Sequence, residues 1–337
     1  MTQSQSPIGI VLGSHMPAEG ITRTAALAEQ LGFGELWFSE DCFFTGAMSG
    51  VTAALSVTER LPIGIGIVSA VTRHPALLAM ELATMSRLYP GRVLPGVGLG
   101  VPAWLDQMGI RPKSPLSAMR ECIENVRALL SGAEVTFEGR VFTFDKVQLT
   151  HLPNERLPIY TGIVNEKGLR LSGEISDGTV FSVLAGTDYV RWARERIAEG
   201  AATSGREDEP HRLVTYTLFS VDKDARKAKE AVRDSIAFYL EAMPDNALSK
   251  VYGITEEVGD MLSRGGAATV AREMPDQWLE DLAVAGDPDE CVHKLEALQE
   301  AGSDSIGLWL FPTDRGDEIA ELTSREILPR LTSTVKA

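Results

Sequence analysis

Cysteine is scarce in this sequence: its 337 residues include only Cys42, Cys122 and Cys291, which stand far apart. An odd, widely spaced set without a CxxC pair predicts neither a disulfide framework nor a structural zinc site. Metal-binding patterns such as HExxH are also missing, so no metal site is expected. The patterns GxSxG and GxxxxGK[ST] are absent as well, which removes the usual evidence for an α/β-hydrolase or a nucleotide kinase.

Basic residues are outnumbered, since 32 Lys and Arg face 47 Asp and Glu and give a formal net charge of −15. A surface this negative repels nucleic-acid phosphates and anionic lipids, so we expect neither nucleic-acid nor membrane binding. The most apolar stretch, 93–105, is interrupted by Gly and Pro, so no transmembrane segment is predicted. Without a signal-peptide pattern, the chain is expected to act in the cytoplasm on a small molecule.

What the sequence does contain is a repeated alternation of apolar runs and amphipathic segments. The apolar runs, bounded by turn residues, predict eight buried parallel strands at 8–13, 36–39, 62–70, 93–98, 158–162, 178–183, 213–221 and 305–311. Eight βα units favour a closed (β/α)8 TIM barrel over an open doubly wound sheet. We expect one domain over 1–337, with an inserted hairpin at about 135–149 and a helical insertion at about 244–287.

Candidate catalytic residues follow the first two predicted strands, because active sites of such barrels lie at the carboxyl ends of the strands. Glu40 and Asp41 are adjacent, and repulsion between like charges favours protonation of one member, which suits a general acid. A pair of solvated helix-capping residues is an equally consistent interpretation. His15 follows the first strand and is the third candidate, although a lone histidine is more often structural.

Longer motifs extend this pattern over nearly the whole chain: GIGI at 64–67, TRHPA at 72–76, LYPGR at 88–92, GVGLG at 96–100, LPIY at 157–160 and AVAGDP at 283–288. Together they resemble the bacterial luciferase-like superfamily, and within it the branch that uses coenzyme F420. The resemblance implies a (β/α)8 barrel with insertions, a homodimer, and a flavin or deazaflavin at the mouth of the barrel. Since members that use FMN share much of the pattern, FMN is the alternative cofactor.

The resemblance also implies individual site residues. A bulged third strand with a non-prolyl cis peptide bond is expected at Gly66-Ile67, where it would back the cofactor ring. The other positions expected to hold the cofactor are Ser69, Gly98, Gly100, Gly162 and Ser182.

Departures from the family pattern bear on the substrate. Glu40-Asp41 replaces an Asp-His pair, Val101 replaces a Glu, and Phe43 and Phe44 stand where a Trp is usual, so sugar-phosphate oxidation is not expected. Phe43, Phe44 and Trp104 are the candidate substrate-binding residues, and they predict an apolar mouth.

The resemblance thus implies hydride transfer between coenzyme F420 and an activated C=C, C=N or C=O bond, or the reverse reaction. Glu40 or Asp41, with or without His15, would move the accompanying proton. Two alternatives remain open: a monooxygenase that uses FMNH2 and O2, and a flavin-binding barrel without turnover.

Overall fold

The computed structural model describes residues 6–331, so the predicted domain bounds of 1–337 extend past both ends. Along the chain its strands are β1 (Ile8–Leu12), β2 (Glu35–Phe38), β3 (Ile63–Ser69), β4 (Val93–Gly98), β5 (Val135–Glu138), β6 (Thr143–Val147), β7 (Tyr160–Gly162), β8 (Gly178–Phe181), β9 (Arg212–Val221), β10 (Ala283–Gly286) and β11 (Ser305–Leu310). Its α-helices are α1 (Ile21–Gln30), α2 (Ala47–Ser56), α3 (Pro75–Leu88), α4 (Pro102–Gln107), α5 (Pro115–Leu130), α6 (Glu166–Ile175), α7 (Thr187–Thr203), α8 (Ala225–Ala242), α9 (Ala247–Lys250), α10 (Thr255–Glu273), α11 (Asp276–Leu282), α12 (Pro288–Ala301), α13 (Gly316–Glu326) and α14 (Leu328–Leu331).

Eight of the strands close a parallel barrel. They pair in the order β1, β2, β3, β4, β7, β8, β9 and β11, and β11 pairs with β1 to complete the ring. Every predicted strand overlaps one strand of this ring, and the predicted (β/α)8 barrel is confirmed. The strands are almost entirely buried because the barrel interior covers one face and the helices cover the other.

Large aromatic side chains fill the barrel interior. The ring centroid of Trp37 lies 5.6 Å from that of Tyr160 and 6.1 Å from that of Tyr216, although these residues come from strands that are not neighbours. Below them, buried Glu35 forms an ion pair with Arg212 and accepts a 2.8 Å hydrogen bond from Ser305 Oγ. Since all three of these polar residues begin strands, they close the amino-terminal end of the barrel.

A hairpin and a helical segment lie outside the ring of eight strands, and the helical segment contains a strand that the sequence analysis missed. β5 and β6 form the antiparallel hairpin expected at 135–149. The helical insertion continues through α9, α10 and α11, but it ends in β10, which pairs in parallel with the last residues of β9. The prediction of helices and turns up to residue 287 is therefore wrong at 283–286. Three of the four residues, Ala283, Ala285 and Gly286, are small and do not favour strands, so the pairing with β9 decides their conformation.

Across the described range, no helix combines the length and the apolar character that crossing a lipid bilayer requires.

Candidate active site

The floor of the mouth is the bulged third strand that the resemblance predicted. The Gly66–Ile67 peptide bond is cis, and the register between β3 and β4 shifts between Ile65 and Val68. A Cβ atom added at Gly66 would lie 1.8 Å from the hydroxyl oxygen of Tyr216, so only glycine fits above that ring. The bulge therefore rests on an aromatic side chain of the barrel interior.

Two glycines from neighbouring strands make room for the side chain of Ile67. A Cβ atom at Gly98 would lie 1.9 Å from Ile67 Cδ1, and one at Gly162 would lie 2.7 Å from Ile67 Cγ2. The predicted cofactor residues of β3, β4 and β7 thus meet at one place. There they surround a half-buried apolar side chain at the carboxyl end of the barrel.

Ser69, Gly100 and Ser182 lie at the same end of the barrel. Gly100 has a φ of +76°, and a Cβ atom there would lie 2.6 Å from Ser69 Oγ, so the close approach requires glycine. Ser69 Oγ donates a 3.4 Å hydrogen bond to the carbonyl of Leu99. Ser182 follows β8 directly and is half-buried.

The predicted carboxylate pair does not act as a pair, because its two members have separate partners. Arg73 donates to both oxygens of Glu40, at 2.7 and 3.0 Å, and the side chains are only 25% and 12% exposed. Glu40 also accepts a 3.0 Å hydrogen bond from the N–H of Ala47, the first residue of α2. Glu40 thus ties the loop after β2 to the loop after β3 and caps a helix.

Asp41, in contrast, points to a different neighbour and keeps an unpaired charge. Ser14, after β1, donates a 2.5 Å hydrogen bond from its hydroxyl to Asp41 Oδ2. No Lys, Arg or His of residues 6–331 forms an ion pair with this half-buried carboxylate. The pKa of the Tyr239 hydroxyl is raised well above its ordinary value, first by burial and second by the negative charge of Asp41. Tyr239, on α8, therefore faces the same carboxylate.

His15 is not brought into contact with the two carboxylates. Its exposed ring stacks on Trp309 of β11 with centroids 6.1 Å apart and planes within 6°. A Cβ atom at Gly13 would lie 2.5 Å from both rings, which explains the glycine directly after β1. The three residues expected to move a proton are therefore split among three environments.

An aromatic rim lies beside Asp41. The side chains of Phe43 and Phe44 are 68% and 58% exposed, and the ring of Phe44 lies 6.5 Å from that of Trp104. The structure brings the three predicted substrate residues to one side of the mouth. Large apolar side chains this exposed on a loop are typical of a binding surface.

Sequence reasoning missed Ser14, Arg73 and Tyr239 as site residues. Ser14 and Arg73 carried a usable signal, because both follow predicted strands and so had to lie at the mouth. The sequence carried no such signal for Tyr239. This residue lies on α8, and only tertiary packing decides which face of that helix is turned toward the mouth.

Comparison with known proteins gives the class. A family model described as luciferase-like monooxygenase matches residues 1–305, and the chain belongs to that family.

Among its relatives is the 5,10-methylenetetrahydromethanopterin reductase of Methanolobus tindarius, 30% identical over 86% of this chain and 90% of that protein. The F420-dependent glucose-6-phosphate dehydrogenase of Beutenbergia cavernae is 29% identical over 90% of this chain and 91% of that protein. The solved structure of the coenzyme F420 dependent tetrahydromethanopterin reductase of Methanopyrus kandleri superposes with a TM-score of 0.85 at 27% identity. It covers 97% of this chain and 100% of that one.

Proposed function

We propose that this protein transfers a hydride between coenzyme F420 and a small organic substrate. The predicted class, an F420-dependent oxidoreductase, is confirmed by relatives that are about 30% identical over most of the chain. The observation that carries the proposal is the bulged third strand with its cis peptide bond and its glycine-framed Ile67.

The residues at the mouth fit a planar deazaflavin. Gly98 and Gly162 keep side chains away from the place where the ring would lie against Ile67. Ser69 and Ser182 offer hydroxyl groups at the edge of that place. When bound, F420 supplies or accepts the hydride at a ring carbon. The contribution of the chain is to hold the ring and the substrate in contact and to exclude water.

Asp41 is the residue that we assign to moving the accompanying proton. Ser14 holds one carboxylate oxygen, and the other has no hydrogen-bond partner in the described part of the chain, so it is free to face a substrate. Glu40 is held by Arg73 and by α2, which suits a structural role. This division assigns the proton step to one of the three predicted residues.

The substrate that we propose is apolar or bulky, because Phe43, Phe44 and Trp104 form the rim next to Asp41. Burial of aromatic and apolar surface against these side chains would supply the binding energy. The relatives named above act on different substrates, so they do not indicate which substrate this protein uses.

Cofactor binding tests the proposal directly. Apo-protein is titrated with F420 and with FMN, and quenching of cofactor fluorescence gives the two dissociation constants. We expect saturable F420 binding at least about tenfold tighter than FMN binding, a difference of about 1.4 kcal/mol. Tighter FMN binding combined with O2 consumption would contradict the proposal and support a monooxygenase. Binding without any turnover, unchanged by Asp41→Asn, would support a non-catalytic barrel.

We also propose that the protein is a homodimer, supported by an exposed apolar stripe on α3. Leu77, Met80 and Leu88 lie on one face of this helix and are 54%, 50% and 62% exposed. A stripe of this kind is typical of a protein interface. Light scattering after size-exclusion chromatography should give twice the mass of 36.5 kDa. The Leu77→Glu/Met80→Glu double variant should give the monomer, whereas a monomeric parent chain would contradict the proposal.

A further inference from the structure

We propose that a second pocket, between the loops that follow β9 and β11, binds an oxyanion such as a phosphate or carboxylate group. The pocket encloses about 250 Å³, and its polar lining consists of Ser220, Asp222, Lys227 and Arg315. None of these residues belongs to the candidate active site described above. β9 and β11 are the seventh and eighth strands of the barrel, and the loops after these strands frequently bind phosphate in this fold.

Two cations in this pocket share one carboxylate. Lys227 Nζ lies 3.0 Å and Arg315 Nη1 lies 3.4 Å from the same oxygen, Asp222 Oδ2. The other oxygen of Asp222 accepts a 3.2 Å hydrogen bond from the N–H of Asp224, so this carboxylate is a fixed part of the loop. Lys227, Arg315 and Asp222 together leave a formal charge of +1 on the pocket lining, although the chain as a whole carries −15.

Glu318 offsets part of that charge from outside the pocket lining. It contacts Nε of Arg315 at 2.9 Å, but its side chain is 68% exposed, so water and salt screen the pair. The Nη2 group of Arg315 forms no hydrogen bond within residues 6–331 and stays available to a ligand.

The hydroxyl of Ser220 is the observation that points to a ligand. Ser220 is 2% exposed and lines the pocket, yet its hydroxyl has no hydrogen-bond partner in the part of the chain that the structure describes. Unlike the enclosed hydroxyls of Ser86 and Tyr216, this oxygen is not closed off from solvent, so it opens into the pocket where a ligand can reach it. A ligand oxygen would accept from Ser220 while Lys227 and Arg315 supply charge-assisted donors, which is the donor set of an oxyanion site.

Titration with inorganic phosphate tests this site without any cofactor. Binding is measured by calorimetry on the full chain at constant ionic strength, with chloride as the replaced anion. We expect saturable binding of one phosphate. Lys227→Gln or Arg315→Gln should weaken it about tenfold or more, and Ser220→Ala should weaken it severalfold, since each removes a donor to a charged group.

Lys250→Gln is the matched control. Lys250 is 57% exposed and ion-paired at 2.8 Å with Asp245, much as Lys227 is 60% exposed and paired with Asp222. This variant should bind phosphate as the parent does. Absence of saturation up to about 20 mM phosphate, a concentration that would reveal even weak binding, would overturn the proposal. An equal loss in Lys227→Gln and Lys250→Gln would overturn it as well, because it would show a general charge effect.

The source of the anion is resolved by two further measurements. If the anionic group belongs to the cofactor, phosphate should compete with F420, and Lys227→Gln should raise the dissociation constant of F420. If it belongs to the substrate, the same variant should raise KM and leave F420 binding unchanged. If neither changes while phosphate still binds, the site holds a free oxyanion. Since the phosphate titration needs neither F420 nor turnover, failure of the proposed function would leave its result intact.

Discussion

The Ser14 hydroxyl donates a 2.5 Å hydrogen bond to Asp41 Oδ2 and thereby joins the loop after β1 to the loop after β2. This contact gives Asp41 a fixed orientation without neutralising its charge. Glu40, the next residue in the chain, is held instead by the two guanidinium nitrogens of Arg73. Adjacent carboxylates therefore have different tasks.

Asp41→Asn should lower kcat by about 10²- to 10⁴-fold, the usual contribution of a positioned acid or base. Asparagine keeps the shape and the hydrogen bond from Ser14 but cannot exchange a proton at this position. F420 affinity should stay unchanged. Steady-state kinetics and cofactor titration check both expectations. In Glu40→Gln, kcat should fall much less; a loss equal to that of Asp41→Asn would contradict the division of roles.

Glu40→Gln should instead lower the free energy of unfolding by about 1–3 kcal/mol. This is less than the loss expected when a fully buried ion pair is broken, because Arg73 retains some exposure to water. Urea denaturation of Glu40→Gln, Arg73→Gln and the double variant gives the coupling energy. We expect the double variant to be less destabilised than the sum of the two single variants, while strict additivity would show that the pair contributes nothing.

Gly98→Ala should weaken cofactor binding about tenfold or more, a loss of at least about 1.4 kcal/mol. The new methyl group would lie 1.9 Å from Ile67 Cδ1, so the isoleucine must turn toward the cofactor site. Shortening Ile67 removes that clash and leaves only a 3.0 Å approach to the Gly162 carbonyl oxygen, so the double variant Gly98→Ala/Ile67→Ala should recover most of the affinity. Fluorescence titration measures the loss and the recovery. Failure of the double variant to recover would place the effect in the backbone of β4.

Acid should destabilise the fold through His211. Burial, with a smaller effect of Arg206, lowers the pKa of this imidazole to about 4, and its Nε2 lies 2.8 Å from Thr179 Oγ1. Because the folded pKa is below the ordinary value of 6.5, protonation favours the unfolded chain. The contribution of neutral His211 to the free energy of unfolding is complete above pH 6.5, and it is lost as the pH falls from 6.5 through about 4. The total loss is about 3 kcal/mol at 1.36 kcal/mol per pH unit.

His211→Gln isolates this contribution from that of other groups. The variant cannot titrate, so its unfolding free energy should fall less between pH 7 and pH 4 than that of the parent chain. Urea denaturation at several pH values gives both curves. Parallel curves for the two proteins would show that His211 does not carry the acid sensitivity.

Tyr216→Phe should not lower the unfolding free energy, and it should raise it by up to about 1 kcal/mol. The hydroxyl of Tyr216 is buried and has no hydrogen-bond partner within residues 6–331, so its removal ends an unfavourable burial. Tyr160→Phe is the control, because the Tyr160 hydroxyl accepts a 3.4 Å hydrogen bond from Arg212. A clear destabilisation by Tyr216→Phe would reveal a partner for that hydroxyl.

The sequence by itself determined the barrel and the place of the site. Apolar runs such as 8–13 and 305–311 became buried strands because a parallel strand needs apolar side chains on both faces. The bulge at Gly66-Ile67 was expected from the family resemblance, and glycine fits there because a side chain would meet the Tyr216 hydroxyl. The apolar pattern of a segment was sufficient to predict a strand because burial on both faces is a requirement on that segment alone.

Only the tertiary structure decided which side chains meet at the mouth. β10 forms because β9 extends beyond the end of β8 and offers free backbone groups to AVAG. Glu40 is paired with Arg73, Asp41 is hydrogen-bonded to Ser14, and His15 is stacked on Trp309. Each contact joins segments that are far apart in the chain. Such choices depend on closing the ring, which fixes the distance and angle between strand ends. The spacing of residues along the chain does not give the distance or the angle between strand ends.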